Sequence, residues 1–207
     1  MSDTQETSNV ISLHEQPKPA MPIHVMVDLE TLGMGENAIV LSIGAVVFSK
    51  DGFSQEFYAE IDPAKYPGSV DLDTIKFWMN ESSVGNLAPM TGIITMPQAL
   101  ELFHNWLISV CELSGCAPSD LRIWANGTDF DLPKLQYMYK AVGVKPAWTY
   151  NSVRDCRTIY KMFSLYGLEP DRSGKHNALM DARWQAEYLV SILNNLEELC
   201  DVSEFYS

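Results

Sequence analysis

The stretch that most limits the fold is Ile23 to Gly33, which reads IHVMVDLETLG. Four of its first five residues are apolar, mostly β-branched, as in a strand buried on both faces. The apolar run stops at Asp28, Glu30 and Thr31, and Gly33 supplies a turn signal. Side chains alternate along a strand, so Asp28 and Glu30 project to one side, with their Cα atoms about 7 Å apart. Two carboxylates held that close repel each other unless a proton or a cation intervenes, and a divalent metal meets that need. The tripeptide D-x-E also closes ordinary strands, so the rest of the chain has to decide.

Further along, Ala38 to Ser49 (AIVLSIGAVVFS) reads as a second long strand. Asp51-Gly52 is a hairpin turn, and Phe53 to Ile61 alternates as a half-exposed third strand. Thr74 to Glu81 reads as a short helix carrying Phe77 and Trp78. Thr95, Pro97 and Gln98 mark a helix start with Gln98 at capping-box spacing, and that helix runs to about Val110. Leu121 to Ala125 is a fourth strand, Leu132 to Val142 a helix closed by Gly143, and Val153 part of a short fifth strand. Asn177 to Leu196 is a long amphipathic helix. Strands joined first by hairpins and then by helices predict an α/β architecture, with one mixed five-stranded sheet flanked by helices.

A chain of 207 residues suits one domain with a substantial core, expected over 23–207. Residues 1–22 are polar, hold Pro17, Pro19 and Pro22, and read as a flexible leader. Apolar content of 46% with 20% charged residues is globular, and no apolar run approaches a membrane span. Cys111, Cys116, Cys156 and Cys200 form no C-x-x-C pair and read as free thiols of a reducing compartment, the cytoplasm. The net charge of −13 opposes a nucleic-acid partner only until its distribution is considered. From Arg122 to Arg183 there are 10 Lys/Arg against 6 Asp/Glu, and the remainder holds 4 against 21.

Two later segments answer the first. Trp124 to Asp131 reads WANGTDFD, a strand end, a glycine turn and a helix start, the kind of sheet edge where ligands sit in α/β folds. Asp129 and Asp131 are both candidates there, one of them as the helix N-cap. His176 to Asp181 reads HNALMD. Five residues on a helix turn about 140° net, so the two would not share a face, and His176 belongs in the loop before the helix.

D-x-E closing the first strand, F-D after a later strand and H-x4-D at the last helix together resemble the DEDDh 3′–5′ exonucleases of the RNase H-like (DnaQ-like) fold. The match runs from about Ile23 to Leu196. Within the family, VMVDLETLG, IVLSIGAVVF, WANGTDFD, RDCRT and HNALMDARWQA are similar to the T-even phage exonuclease A and mycobacterial 3′–5′ exoribonuclease branch. The resemblance implies two Mg²⁺ or Mn²⁺ ions, with Asp28 bridging both, Glu30 and Asp181 on the ion that binds the attacking water, Asp131 on the second, and His176 as general base. Such chemistry calls for hard cations on carboxylate oxygens. It implies a nucleic acid with a free 3′ end as partner, DNA favoured and RNA or oligoribonucleotides the alternative, with nucleoside monophosphates as product. The enzyme is expected as a monomer or homodimer away from membranes; a non-catalytic nucleic-acid-binding module is the remaining class. In similar enzymes the segment at Leu32 and Gly33 contacts the terminal sugar, and an apolar side chain wedges beside the last base. Phe77 and Trp78 are candidates for stacking a base or for core. Arg154 and Arg157, flanking Asp155, are candidates for phosphate or for a local ion pair.

Overall fold

The structure is a computed structural model, and it describes residues 22–83, 90–170 and 176–197. The N-terminal leader and the end of the chain beyond residue 197 lie outside the described residues.

Strand β1, Ile23–Thr31, is buried along its whole length except at Asp28, which keeps partial exposure. It takes the middle of a five-stranded sheet of order β3-β2-β1-β4-β5. Strands β2 (Val40–Ser49) and β3 (Gly52–Glu60) continue it as an antiparallel meander, while β4 (Leu121–Ala125) and β5 (Val153–Asp155) run parallel to it. This is the mixed sheet that the hairpin and crossover signals predict.

Helices α1 (Leu72–Ser83), α2 (Met96–Leu113), α3 (Thr128–Val142) and α5 (Ala178–Glu197) fall on the predicted segments, but α4 (Cys156–Phe163) follows β5 at once and was not expected. Asp155 caps it by accepting from the Thr158 N–H. Its other oxygen accepts from the Thr128 N–H, 27 residues away, and so satisfies the start of α3 as well. That distant cap explains why α3 begins four residues before Leu132. The N-cap position itself is Gly127, at φ 101°, so neither Asp129 nor Asp131 is the cap. Both lie in the first turn, where carboxylates favour the positive end of the helix dipole.

Alternation on β1 sends Val25, Val27 and Leu29 into a core shared with α2 and α3, and Met26 into a second core shared with α5. Asp28 and Glu30 share the parity of Met26 and therefore face α5. Among the described residues Cys111, Cys116 and Cys156 are free thiols, and no helix is long and apolar enough to cross a membrane.

Candidate active site

Asp28 stands opposite Gly44 of β2 in the antiparallel register, so both positions face α5. A Cβ added at Gly44 would overlap the Ala178 carbonyl and the Leu179 amide. The missing side chain is therefore what lets the first turn of α5 lie on the sheet, and that turn carries Asp181. Glu30, Asp131 and Asp181 are all buried.

His176 sits just before α5, as its spacing from Asp181 requires. Its φ is 64°, and it is the one non-glycine residue with positive φ among the described residues. Backbone in this region costs energy and collects at functional sites. Its N–H donates to Asp181 Oδ2 at 2.9 Å, which holds the turn against the carboxylate. Its Nε2 lies 3.3 Å from Glu81 Oε2, and the edges and faces of Phe77 and Trp78 meet its ring at centroid distances of 5.0 and 5.8 Å. Ligand atoms of Glu30, His176 and Asp181 lie within 4.8 Å of one another.

Two further polar side chains shape the cluster. Gln185, one turn beyond Asp181 and buried, donates from Nε2 to Asp28 Oδ1 at 2.7 Å. Lys134, wholly buried, donates to the carbonyls of Phe130 and Met34 at 3.0 and 3.1 Å and packs over the Phe130 ring. It ties the loop after β1 to the first turns of α3. The sequence offered no signal for either role beyond a polar residue at helical spacing.

Burial pushes the Asp28 carboxyl well above its usual range, and the charges of Asp131, Glu30 and Asp181 push it the same way. Burial pushes Asp131 up to about 7, against the pull of Lys134, the Leu29 N–H and Arg157. Carboxylates collected in a desolvated place with a single buried ammonium beside them fit a hard divalent cation, whose oxygen ligands they would be.

The other predicted contacts are placed less uniformly. Leu32 is buried in the core, with its N–H on Ile39 and its carbonyl on Asp71, so its side chain is no wedge. Gly33 lies against Asp71. Trp78 is only 4% exposed and donates to the Thr31 carbonyl, which makes it a support for β1 and not a stacking surface. Phe77 is 40% exposed and Met34 is 69% exposed. Arg157 donates to the Asn126 carbonyl beside Asp131, while Arg154 turns back onto the carbonyls of Asn151 and Val153. Asp155 is used as the double helix cap and not as their ion-pair partner.

A mixed sheet of the RNase H-like fold gathers four carboxylates and a histidine at the end of its central strand. The chain belongs to the Rv2179c-like 3′–5′ exoribonuclease domain family, whose model matches residues 23–193. Among solved structures it is similar to E. coli exonuclease I in complex with a dT13 oligonucleotide, with TM-score 0.61 and 13% identity over 89% of this chain and 42% of that one. It is also similar to the nuclease domain of 3′hExo, a DEDDh family member bound to rAMP, with TM-score 0.55 and 16% identity over 87% of this chain and 94% of that one. A third likeness is the cell-death related nuclease CRN-4, with TM-score 0.52 and 12% identity over 84% and 64% of the two chains. The chain spans less than half the length of the exonuclease I structures that it matches. Comparison with curated proteins finds no match in sequence. The family model thus places a 3′–5′ exoribonuclease-type domain over residues 23–193, and within it Glu30, His176 and Asp181 form a group that could hold a metal ion.

Proposed function

We propose that this chain removes nucleoside monophosphates one at a time from a free 3′ end, with RNA as substrate and two ions, Mg²⁺ or Mn²⁺, at the site. The observation that carries the reading is the convergence of Asp28, Glu30, Asp131, Asp181 and His176 at one end of the sheet. Asp28 feels the charge of all three other carboxylates, which suits a ligand shared by two ions. Glu30 and Asp181 would hold one ion and Asp131 the other. Bound there, the ions activate water as a nucleophile and neutralise charge on the phosphate and the leaving oxygen.

His176 is the general base. Its main chain is fixed by Asp181 and its Nε2 by Glu81, so the ring waits beside the Glu30–Asp181 pair to take the proton of the attacking water. Residues 171–175 of the preceding loop lie outside the described residues. The terminal nucleotide meets Phe77, exposed beside the His176 ring and backed by Trp78, and Met34, exposed after Leu32 and Gly33 in the loop that leaves β1. The preference for RNA rests on the family, since no side chain at the site argues for DNA. The free thiols suit the cytoplasm, and the enzyme acts there as a monomer or homodimer.

The test is digestion of end-labelled RNA and DNA oligomers whose 3′ ends are free or blocked. The expected result is mononucleotide release from free 3′ ends, faster on RNA, only with Mg²⁺ or Mn²⁺. Cleavage of 3′-blocked strands, or binding without hydrolysis, overturns the reading.

A further inference from the structure

A groove of about 440 Å³ lies between α4 and α5, lined by Asn126, Arg157, Tyr160, Lys161, Ser164 and Tyr188. One end is Asn126, the first residue of the turn that leads to Asp131. Arg157 donates to the Asn126 carbonyl, covers Gly127, and is near enough to draw on the Asp131 carboxyl. Lys161 lies four residues further on α4, on the same face and about 6 Å along the axis. That is near the spacing of successive phosphates in an extended strand.

None of the lining residues is acidic, in a chain with 27 acidic against 14 basic residues. Among the described residues neither cation forms an ion pair with a carboxylate within 4 Å. The floor is rigid: Tyr160 and Tyr188 stack at 4.6 Å, and the Tyr160 hydroxyl donates to the main-chain carbonyl of Gln185, whose side chain holds Asp28. The groove is thus tied to the carboxylate cluster through Gln185 and Arg157.

We infer that this groove carries the substrate strand on the 5′ side of the scissile bond, with Arg157 and Lys161 holding successive phosphates. The inference rests on the nuclease reading of the site and adds a path for the part of the strand that is not cut. Sequence-independent phosphate contacts of this kind give binding that weakens with salt. A dinucleotide would end before Lys161, whereas a longer strand would reach it.

The test compares wild type, Lys161→Ala and Lys161→Arg. Lys161 is exposed, so folding is not at stake. The first readout is the ratio of kcat/KM on a longer oligoribonucleotide to that on a dinucleotide. The second is the salt dependence of binding the longer strand in Ca²⁺. Lys161→Ala should lower the ratio several-fold and make the log–log salt slope shallower by about 0.7, the value of one phosphate contact on a single strand. Lys161→Arg should restore both. An unchanged ratio, or an equal loss on the dinucleotide, overturns the inference. If wild type hydrolyses neither substrate, the nuclease reading fails by itself, and the salt slope decides the groove: a slope unaltered in Lys161→Ala rejects it.

Discussion

The two faces of the sheet are packed with different material. On one, α2 and α3 press Phe103, Trp106, Leu107 and Tyr139 against Val25, Val27 and Ile43, with Trp148 and Phe57 completing the aromatic cluster. On the other, α5 lays Ala178, Ala182 and Ala186 toward the sheet, over Gly44, Met26 and Val46. Large side chains fill volume and tolerate small shifts of a helix. Small ones fix how closely a helix lies on the strands, because no atoms remain to give way. The helix with the small face is the one that delivers Asp181 and Gln185 to Asp28. Both faces hold aromatic side chains, Phe48 and Trp124 lying on the α5 side, but the contact of α5 with the strands is made by small residues, and it sets the spacing needed for chemistry.

That contrast can be broken at graded strength. Short of the carboxylates themselves, the largest effect is expected at His176, which is held to the first turn of α5 by its N–H to Asp181. His176→Ala should lower kcat about 10²–10⁴-fold, the usual worth of a general base, with metal affinity retained. Lost metal affinity would instead make His176 a ligand. Next, Gly44→Val should lift α5 from β2 and cost about 10²-fold in rate, as ångström misplacements do. Its counterpart under α2 and α3, Leu107→Ala, should cost about 2–5 kcal/mol of stability while folded molecules keep their kcat. If the two variants exchange phenotypes, the division between the faces is wrong. Gln185→Leu removes the donor to Asp28 and should lower activity or metal affinity about 10–100-fold, as loss of an orienting partner does; unfolding and calorimetric metal titration separate that from instability.

The smallest expected effect is on stability. In the metal-free protein Asp131 binds its proton up to about pH 7, whereas in the unfolded chain it releases it near its ordinary value. The folded state thus holds the extra proton between those limits, and stability from this group falls as pH rises through that window and levels off above it. Divalent metal should therefore raise Tm more at pH 8 than at pH 5. Asp131→Asn should raise the metal-free Tm by a few degrees at pH 8 and flatten its pH dependence. A fall in Tm at pH 8 would contradict the burial cost assigned to Asp131.

Much of this was legible in the sequence wherever the signal was local. The apolar run ending in Asp28 and Glu30 marked the central strand, because alternation and burial are written residue by residue. His176 before a helix and Asp181 within it followed from helical rotation alone. What escaped depended on contacts across the fold. The early start of α3 needs Asp155 to cap Thr128 from 27 residues away, which no local pattern reveals, so the expected start at Leu132 fell four residues late. Trp78 reads the same whether its ring stacks a base or supports the Thr31 carbonyl. Gln185 and Lys134 look like surface residues of amphipathic helices until the sheet is assembled. Gly44 reads as one small residue in a strand, and only the helix above it shows why a side chain is excluded.

The central claim is that Asp28, opposite the Gly44 over which α5 approaches β2, is where cations are bound for hydrolysis of a 3′ terminal phosphodiester. The most direct measurement is mononucleotide release from RNA with a free 3′ end, by wild type and Asp28→Asn, in Mg²⁺ or Mn²⁺ and after chelation. The account predicts activity only for wild type with metal, restored on adding the ion back, and none for a folded Asp28→Asn. Release by wild type in excess chelator, or by Asp28→Asn at a comparable rate, would contradict it.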